Sequence, residues 1–232
     1  MAAGKGTRMN TELPKVLHQL NNKTMIEHVI DKTLEINPDK LVVVVGYKSQ
    51  LIKNQLTHYD IEYVEQLQQL GTGHAIMQCH NTLNNFEGNT LILSGDVPLI
   101  TKETLCDLYD SHIENHSTGT VLSALVKNPT GYGRVIRDKK TFISIVEEKD
   151  ANKNQKKINE INTGIYIFNN QILFENINKI QNNNNQAEYY LPDVLPIMLK
   201  NNNKITVFKT SNELEIKGIN TIEQLHDLEK QI

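Results

Sequence analysis

Short runs of apolar, mostly β-branched residues recur along the chain. Between them lie longer stretches in which apolar positions return every three or four residues. The runs fall at residues 41–45, 90–93, 120–126, 143–146, 164–168 and 205–208. Near-continuous apolar runs of this length predict strands buried on both faces. The helical period predicts helices at 25–36, 49–56, 73–83, 102–115, 171–180, 188–199 and 221–232. Strand–helix alternation of this kind predicts an α/β fold, a mixed and mostly parallel sheet with helices on both faces. Residues 131–164 interrupt it with strand signals and few helical ones, which predicts a β-rich insertion over a site. No internal repeat is present.

With 232 residues the chain can bury a real core. Hydrophobic residues at 38% and charged residues at 22% read as a soluble globular protein. A formal net charge of −3 carries no basic excess, which argues against nucleic acid as a partner. No apolar run approaches the roughly 20 residues of a membrane span, and the small, polar start is unlike a signal peptide. Cys79 and Cys106 lie in helical patterns without a second cysteine at metal-site spacing, so idle thiols and a reducing cytoplasm are expected. Asparagine runs such as 182–185 read as compositional drift in loops.

Four clusters carry candidate chemistry. The first is Gly4-Lys5-Gly6-Thr7-Arg8 with Lys15. Glycines let backbone N–H groups approach phosphate oxygens, and Arg8 and Lys15 add fixed positive charge. The alternative is an ordinary basic loop, since neither a Walker A nor a GxGxxG pattern is present. The second is Ser94-Gly95-Asp96-Val97-Pro98, where an aspartate ends a strand run. Asp96 is either a ligand for Mg²⁺ against phosphates or a turn cap. The third is Gln66 with Gly71-Thr72-Gly73, able to read a base edge or simply to start a helix. The fourth is Gly131-Tyr132-Gly133-Arg134, Glu147 and 160–164, polar groups beside strands that suit sugar hydroxyls or turns. His112 and His116 flank Glu114 but not as His-Glu-x-x-His; solvated side chains are the better reading than a metal pair. The run at Ser94 lacks the Gly-x-Ser-x-Gly elbow of a serine nucleophile.

A phosphate-binding glycine loop normally leaves the end of a strand. Nothing precedes Ala2-Ala3-Gly4 to form one, so the first strand is expected to be missing, either through a miscalled start or a real truncation.

In order along nearly the whole chain, AAGKGTRM, LPKVLH, QLGTGHA, SGDVPLI, PTGYGR, IVEEKDA, EINTGIYIF and AEYYLPDV resemble the uridylyltransferase domain of the bacterial bifunctional enzyme that makes UDP-N-acetylglucosamine. AAGKGTRM with LPK marks the wider sugar-nucleotidyltransferase superfamily, and QLGTGHA, GYGR and EINTG narrow it. The resemblance implies a Rossmann-like nucleotide-diphospho-sugar transferase fold. It also implies an activity: UTP and N-acetylglucosamine 1-phosphate give UDP-N-acetylglucosamine and pyrophosphate, with Mg²⁺, for peptidoglycan and lipopolysaccharide synthesis. It places Ala2, Ala3, Gly4 and Lys15 at the nucleotide, with Arg8 and Lys15 catalytic at the phosphates. Gln66, Gly71 and Thr72 would recognise uracil, and Ser94, Gly95 and Asp96 would approach the nucleotide. Gly133, Glu147, Asn162 and Asn220 would hold the sugar phosphate, and Asp96 and Asn220 the metal. The rival readings are a related sugar-1-phosphate transferase, such as a thymidylyltransferase acting on glucose 1-phosphate, and an inactive truncated domain.

The match departs from the family at Lys217, where an acidic residue is usual and a positive charge near the metal is expected to weaken its binding, and at Pro192, where threonine is usual. On this reading 1–220 is the uridylyltransferase domain and 221–232 begins a linker helix. The family's acetyltransferase β-helix has no counterpart here, so acetyl transfer is not expected. The family's trimer rests largely on that β-helix, so this chain is expected to be monomeric.

Overall fold

The computed structural model describes Met1–Ile232. In chain order its regular elements are β1 (Gln19–Leu20), β2 (Lys23–Thr24), α1 (Met25–Leu34), β3 (Val42–Val45), α2 (Ser49–Gln55) and β4 (Glu62–Glu65). Then follow α3 (Thr72–Gln78), α4 (His80–Leu83), β5 (Asn89–Ile92), α5 (Lys102–Glu114), β6 (Gly119–Leu125), β7 (Gly133–Asp138) and β8 (Thr141–Val146). The last are β9 (Glu160–Asn169), α6 (Asn170–Asn176), α7 (Val194–Lys200), β10 (Ile205–Thr210) and α8 (Ile222–Glu229). They form two compact units. The first comprises Met1–Gln69, Leu93–Lys102 and Leu214–Ile232; the second comprises Leu70–Ile92 and Glu103–Glu213.

In the first unit β1 and β2 make a hairpin whose turn, Asn21-Asn22, has φ of 50° and 64°. Two positive φ angles are what a tight hairpin turn demands, and asparagine tolerates them. Thr24 then starts α1 through a capping box: its backbone N–H and its hydroxyl both donate to Glu27 Oε2, at 2.9 and 2.5 Å. The helix buries Met25, Ile26, Val29 and Ile30 at the spacing of one face. β3 pairs in parallel with β4. Residues 1–3 lie extended and bonded on two sides. Ala2 N–H donates to Val44 O at 2.8 Å and Tyr47 N–H to Ala3 O at 3.1 Å. The Met1 ammonium donates to Leu93 O at 2.7 Å, and Gly95 N–H donates to Met1 O at 3.0 Å. α8 joins this unit's core: Leu225 and Leu228 pack with Met9, Leu20, Met25 and Ile219.

In the second unit the sheet runs β10-β6-β9-β7-β8, with β5 also on β9. β10 and β6 are parallel; the pairings of β5, β6 and β7 with β9, and of β7 with β8, are antiparallel. The expected α/β architecture is present, and the stretch that breaks the alternation is β-rich, holding β7, β8 and the start of β9. β9 is buried at eight of its ten positions because it has three partners. It starts earlier than its apolar run because its polar residues are satisfied inside. Glu160 accepts from Arg137 Nε and Nη2, both at 2.8 Å, and from Ser123 Oγ at 2.9 Å.

Three expectations are corrected. Residues 188–190 are not helical: Tyr189 N–H donates to Leu70 O at 2.8 Å and its carbonyl accepts from Gly73 N–H at 2.7 Å, an extended exchange, and α7 begins only at Val194. His112 is not solvated. It is buried, with Nδ1 2.8 Å from Thr120 Oγ1 and Nε2 3.3 Å from Asn89 Oδ1. The larger sheet is mixed but not mostly parallel: only β10 and β6 pair in parallel there, against four antiparallel pairings, because β9 runs against all three of its partners.

Candidate functional site

The glycine loop of the first unit is held by its ends. Residues 1–3 fix its start, and Met9, 2% exposed, sinks into the core at its far end. Between them Gly6 adopts φ +59°, and a Cβ there would stand 2.5 Å from Lys15 Cβ. Glycine at 6 therefore lets Lys15 lie against the loop. Gly4 differs: a Cβ there would meet nothing within 4 Å. Packing does not require that glycine, but close approach of a ligand to the backbone would. Gly95 is structural, since its Cβ would stand 3.1 Å from Met1 O and 3.2 Å from Val16 Cγ1.

Four of the expected residues in this unit converge. Lys15 Nζ forms an ion pair with Asp96 Oδ2 and donates to Asn220 Oδ1 at 3.2 Å. Arg8 Nη2 donates to the same Asn220 oxygen at 2.7 Å. One backbone bond brings Asp96 and Asn220 together, from Ile219 N–H to Asp96 O at 2.9 Å, and the Gln224 side chain steadies Asn220 by accepting from its N–H at 2.7 Å. Two cations thus share one carboxylate and one amide oxygen. That leaves an excess positive charge suited to a polyphosphate. The oxygens of Asp96 and Asn220 already meet at one cation, the Lys15 ammonium, which stands for whatever cation they would share. One carboxylate and one amide are hard oxygen donors, and Mg²⁺ takes few protein ligands of this kind and completes its shell with phosphates and water. The donor set therefore fits. Lys217 does not face this cluster; its ammonium donates to Gln231 Oε1 at 2.7 Å. An open pocket of about 320 Å³ lies beside the loop, lined by Lys5, Thr7, Asn10, Thr11, Glu12 and Tyr47. None of the four converging residues lines it.

Of the remaining expected residues, Gln66 is buried in the first unit, its carbonyl accepting from Gln69 Nε2 at 2.8 Å. Ser94 lies in the same unit, where its carbonyl accepts from Val97 N–H at 3.2 Å. Gly71 and Thr72 belong to the second unit, and packing explains both. Gly71 has φ +110° and its Cβ would stand 2.5 Å from Tyr189 O; Thr72 Oγ1 accepts from Leu191 N–H at 3.0 Å.

The second unit gathers Gly133, Glu147 and Asn162. Gly133 on β7 is in register with Asn162 on β9. A Cβ on Gly133 would stand 3.0 Å from Glu147 Oε1, so glycine makes room for that carboxyl. Glu147 has its pKa raised from 4.5 to about 7, first by burial and then by the nearby Asp193 and Asp150. Burial and Asp150 likewise push Asp193 up to about 6. Carboxyls that give up their protons this reluctantly suit hydroxyl-rich neutral ligands better than phosphates. Arg134, the last residue of the GYGR motif, is structural: it is fully buried and pairs with Glu148 at 2.6 Å. Sequence reasoning missed Asp193, Asp150, Tyr166 and Tyr190 around Glu147. All four lie in the motifs IVEEKDA, EINTGIYIF and AEYYLPDV, but no local spacing set them beside Glu147, and 188–193 was read as helix.

The family model described as nucleotidyl transferase matches residues 1–213. A bifunctional protein GlmU from Streptococcus uberis is 46% identical over 221 residues, covering 95% of this chain and 48% of the relative. One from Limosilactobacillus reuteri is 45% identical over the same shares. The chain spans about half the length of the curated relatives it matches. Among solved structures, apo-UDP-glucose pyrophosphorylase is similar with TM-score 0.73 at 19% identity, covering 99% of this chain and 95% of that one. UDP-glucose pyrophosphorylase complexed with UDP-glucose is similar with TM-score 0.74 at 20% identity and the same coverage. At such identities these two speak to the fold alone.

Proposed function

The chain belongs to the nucleotidyl transferase family, and from that premise we propose that it joins UTP to N-acetylglucosamine 1-phosphate, releasing pyrophosphate. The observation that carries the proposal is the convergence of Arg8 and Lys15 on Asp96 and Asn220. Such an array neutralises phosphate charge and offers no nucleophile or general base. The reaction needs neither, since a sugar 1-phosphate oxygen is already an anion. That oxygen attacks the α-phosphorus of UTP in line, a new P–O bond forms, and the bond to pyrophosphate breaks. Catalysis is then positioning and electrostatics.

Residues 2–4 line the nucleotide, the Lys15 ammonium holds its phosphates, and Arg8 meets charge as it develops at the α- and β-phosphates. Gln66, Gly71 and Thr72 read uracil, and Ser94 and Gly95 line the nucleotide. Asp96 and Asn220 are the residues that would hold Mg²⁺, which when bound supplies charge neutralisation at phosphate oxygens of both reactants. Lys15 must then exchange its partners for phosphate. Gly133, Glu147 and Asn162 hold the N-acetylglucosamine moiety, which the raised pKa of the Glu147 carboxyl supports. Pyrophosphate release across a panel of nucleoside triphosphates and sugar 1-phosphates tests the proposal. It predicts UTP with N-acetylglucosamine 1-phosphate as the preferred pair. Preference for TTP and glucose 1-phosphate would overturn it.

A further inference from the structure

Asn162 and Tyr166 are four residues apart on β9, yet they touch. Opposite them, β6 advances only from Val121, the partner of Tyr166, to Ser123, the partner of Asn162. Four residue steps on one strand therefore face two on the other. β9 absorbs the excess in a bulge at 163–165, where Gly164 takes φ +78°. The Thr163 hydroxyl donates to Leu122 O at 2.7 Å, and Ile165 N–H donates to Thr163 Oγ1 at 3.3 Å, so the bulge leaves its polar groups satisfied. Bulges shorten and re-aim strands, often beside functional sites. Two extra residues preserve the alternation of faces, so Asn162 and Tyr166 become neighbours on one face.

The contact fixes the asparagine amide. Gly164 N–H donates to Asn162 Oδ1 at 3.2 Å. A backbone N–H can only donate, so the oxygen of the amide must face it. The nitrogen must then face Tyr166, and Asn162 Nδ2 donates to Tyr166 Oη at 2.7 Å. Both side chains are buried, and the tyrosine ring stacks on Phe168 with centroids 5.8 Å apart. Burial, with the Glu147 and Asp193 carboxyls nearby, pushes the phenol upward, so the hydroxyl keeps its proton. Of the amide's two donors and two lone pairs, one of each is committed within the protein. The other donor and lone pair are held in a set direction.

We infer that Tyr166 is a positioning residue for sugar recognition: its hydroxyl, through the bulge at 163–165, holds the Asn162 amide in the orientation that reads the N-acetylglucosamine moiety. This deepens the function proposed above and rests on its assignment of Asn162 to the sugar. Phenylalanine would fill the same space and keep the stacking, so the hydroxyl serves the amide and not the core.

The test is calorimetric binding of UDP and of UDP-N-acetylglucosamine, whose ratio of dissociation constants isolates the sugar's share. Y166F should lower that ratio roughly tenfold, the scale of one buried hydrogen bond, and leave the UDP constant within about twofold. Asn162→Ala should lower the ratio at least as far, and Y166F added to it should do nothing more. An unchanged ratio in Y166F with a reduced one in Asn162→Ala would overturn the positioning role alone. An unchanged ratio in Asn162→Ala, or a wild-type chain that does not distinguish the two ligands, would overturn the sugar assignment itself. Weakening of UDP and UDP-N-acetylglucosamine alike in Y166F would mark a merely structural role. Independently of any variant's folding, an Asn162 side-chain amide proton should exchange with solvent far more slowly than those of exposed asparagines. Exchange at their rate would equally overturn the proposal.

Discussion

Lys15 and Asp96 lie 81 positions apart in the chain and meet in a direct ion pair, each side chain about one-fifth exposed. The same ammonium reaches Asn220 Oδ1, 205 positions away. Three distant segments are thus closed around one cation. The ion pair is not a simple stability device, because a pair this far buried gives back much of its Coulomb gain as lost hydration. It keeps a lysine and two oxygen donors in one place, and the proposed function requires a phosphate and a divalent cation to separate them.

Asp96→Asn tests that division of labour. It keeps the shape and removes the charge that a divalent cation needs. Turnover in saturating Mg²⁺ should fall by about a hundredfold or more, as for loss of one preorganised charge. The unfolding midpoint should move by only a few degrees, since asparagine still offers the Lys15 ammonium an oxygen. A steady-state pyrophosphate assay beside thermal unfolding reads both. Retained turnover would remove Asp96 from the metal site.

Arg8 is exposed and holds Asn220 Oδ1 by one bond. Its assigned task is charge that appears only as the pyrophosphate leaves. An interaction made in the transition state and not in the ground state lowers kcat more than it raises KM. Arg8→Ala should therefore cut kcat by about a hundredfold while KM for UTP rises only a few-fold. Steady-state kinetics at saturating sugar phosphate decides it, and an unchanged kcat would show that Arg8 has no part in turnover.

How far these relationships could be read in advance depends on where polar groups are satisfied. The apolar runs at 41–45 and 205–208 became β3 and β10 because nothing in them needs a distant partner. β4 and β7 went unseen for different reasons. β4 is mostly solvent-facing, and β7 carries Arg134 and Arg137, which only Glu148 and Glu160 make tolerable inside. Candidate ligands were legible in part: Lys15 and Asp96 were named as residue types in their motifs, Asn220 only through the family resemblance, and the three do meet. Local spacing could not reveal the contact of Asn162 with Tyr166, since i and i+4 on a regular strand stand too far apart. It appears only once the register across β6 is known.

Glu147 predicts a pH dependence with an unusual sign for a carboxyl. Its folded pKa, about 7, lies above its ordinary 4.5, so between these values the folded state binds more protons than the unfolded one. Stability from this group is full below pH 4.5 and is lost as pH rises through 7. Asp193, raised from 3.8 to about 6, adds to the trend. Glu147→Gln removes the ionisation while keeping the shape. It should be more stable than the wild type at pH 8, by about 1–2 kcal/mol after allowance for partial exposure, and show little difference at pH 5. Urea unfolding at the two pH values measures this; an equal difference at both would mean that Glu147 does not titrate in that window.

Ala187 has φ +53°, in the sequence Asn184-Asn185-Gln186-Ala187-Glu188. The surrounding bonds hold it there: its N–H donates to Asn184 O at 3.1 Å, while Asn184 Oδ1 accepts from Gln186 and Glu188 N–H, both at 3.2 Å. Asn185 ties the loop to the segment after β8, its N–H donating to Asp150 Oδ1 and its Nδ2 to Lys149 O, each at 2.9 Å. A Cβ in the left-handed region costs about 1–2 kcal/mol against glycine, which has none. Glycine also gains freedom in the unfolded chain, which returns roughly 0.4–1 kcal/mol of that advantage. Ala187→Gly should therefore stabilise the protein by about 0.5–1 kcal/mol, read as a higher urea midpoint at unchanged slope. Because the loop braces Asp150, which helps hold the Glu147 proton, the same variant should leave the pH dependence of stability intact. If Ala187→Gly instead destabilises, the alanine methyl is making contacts worth more than its backbone strain.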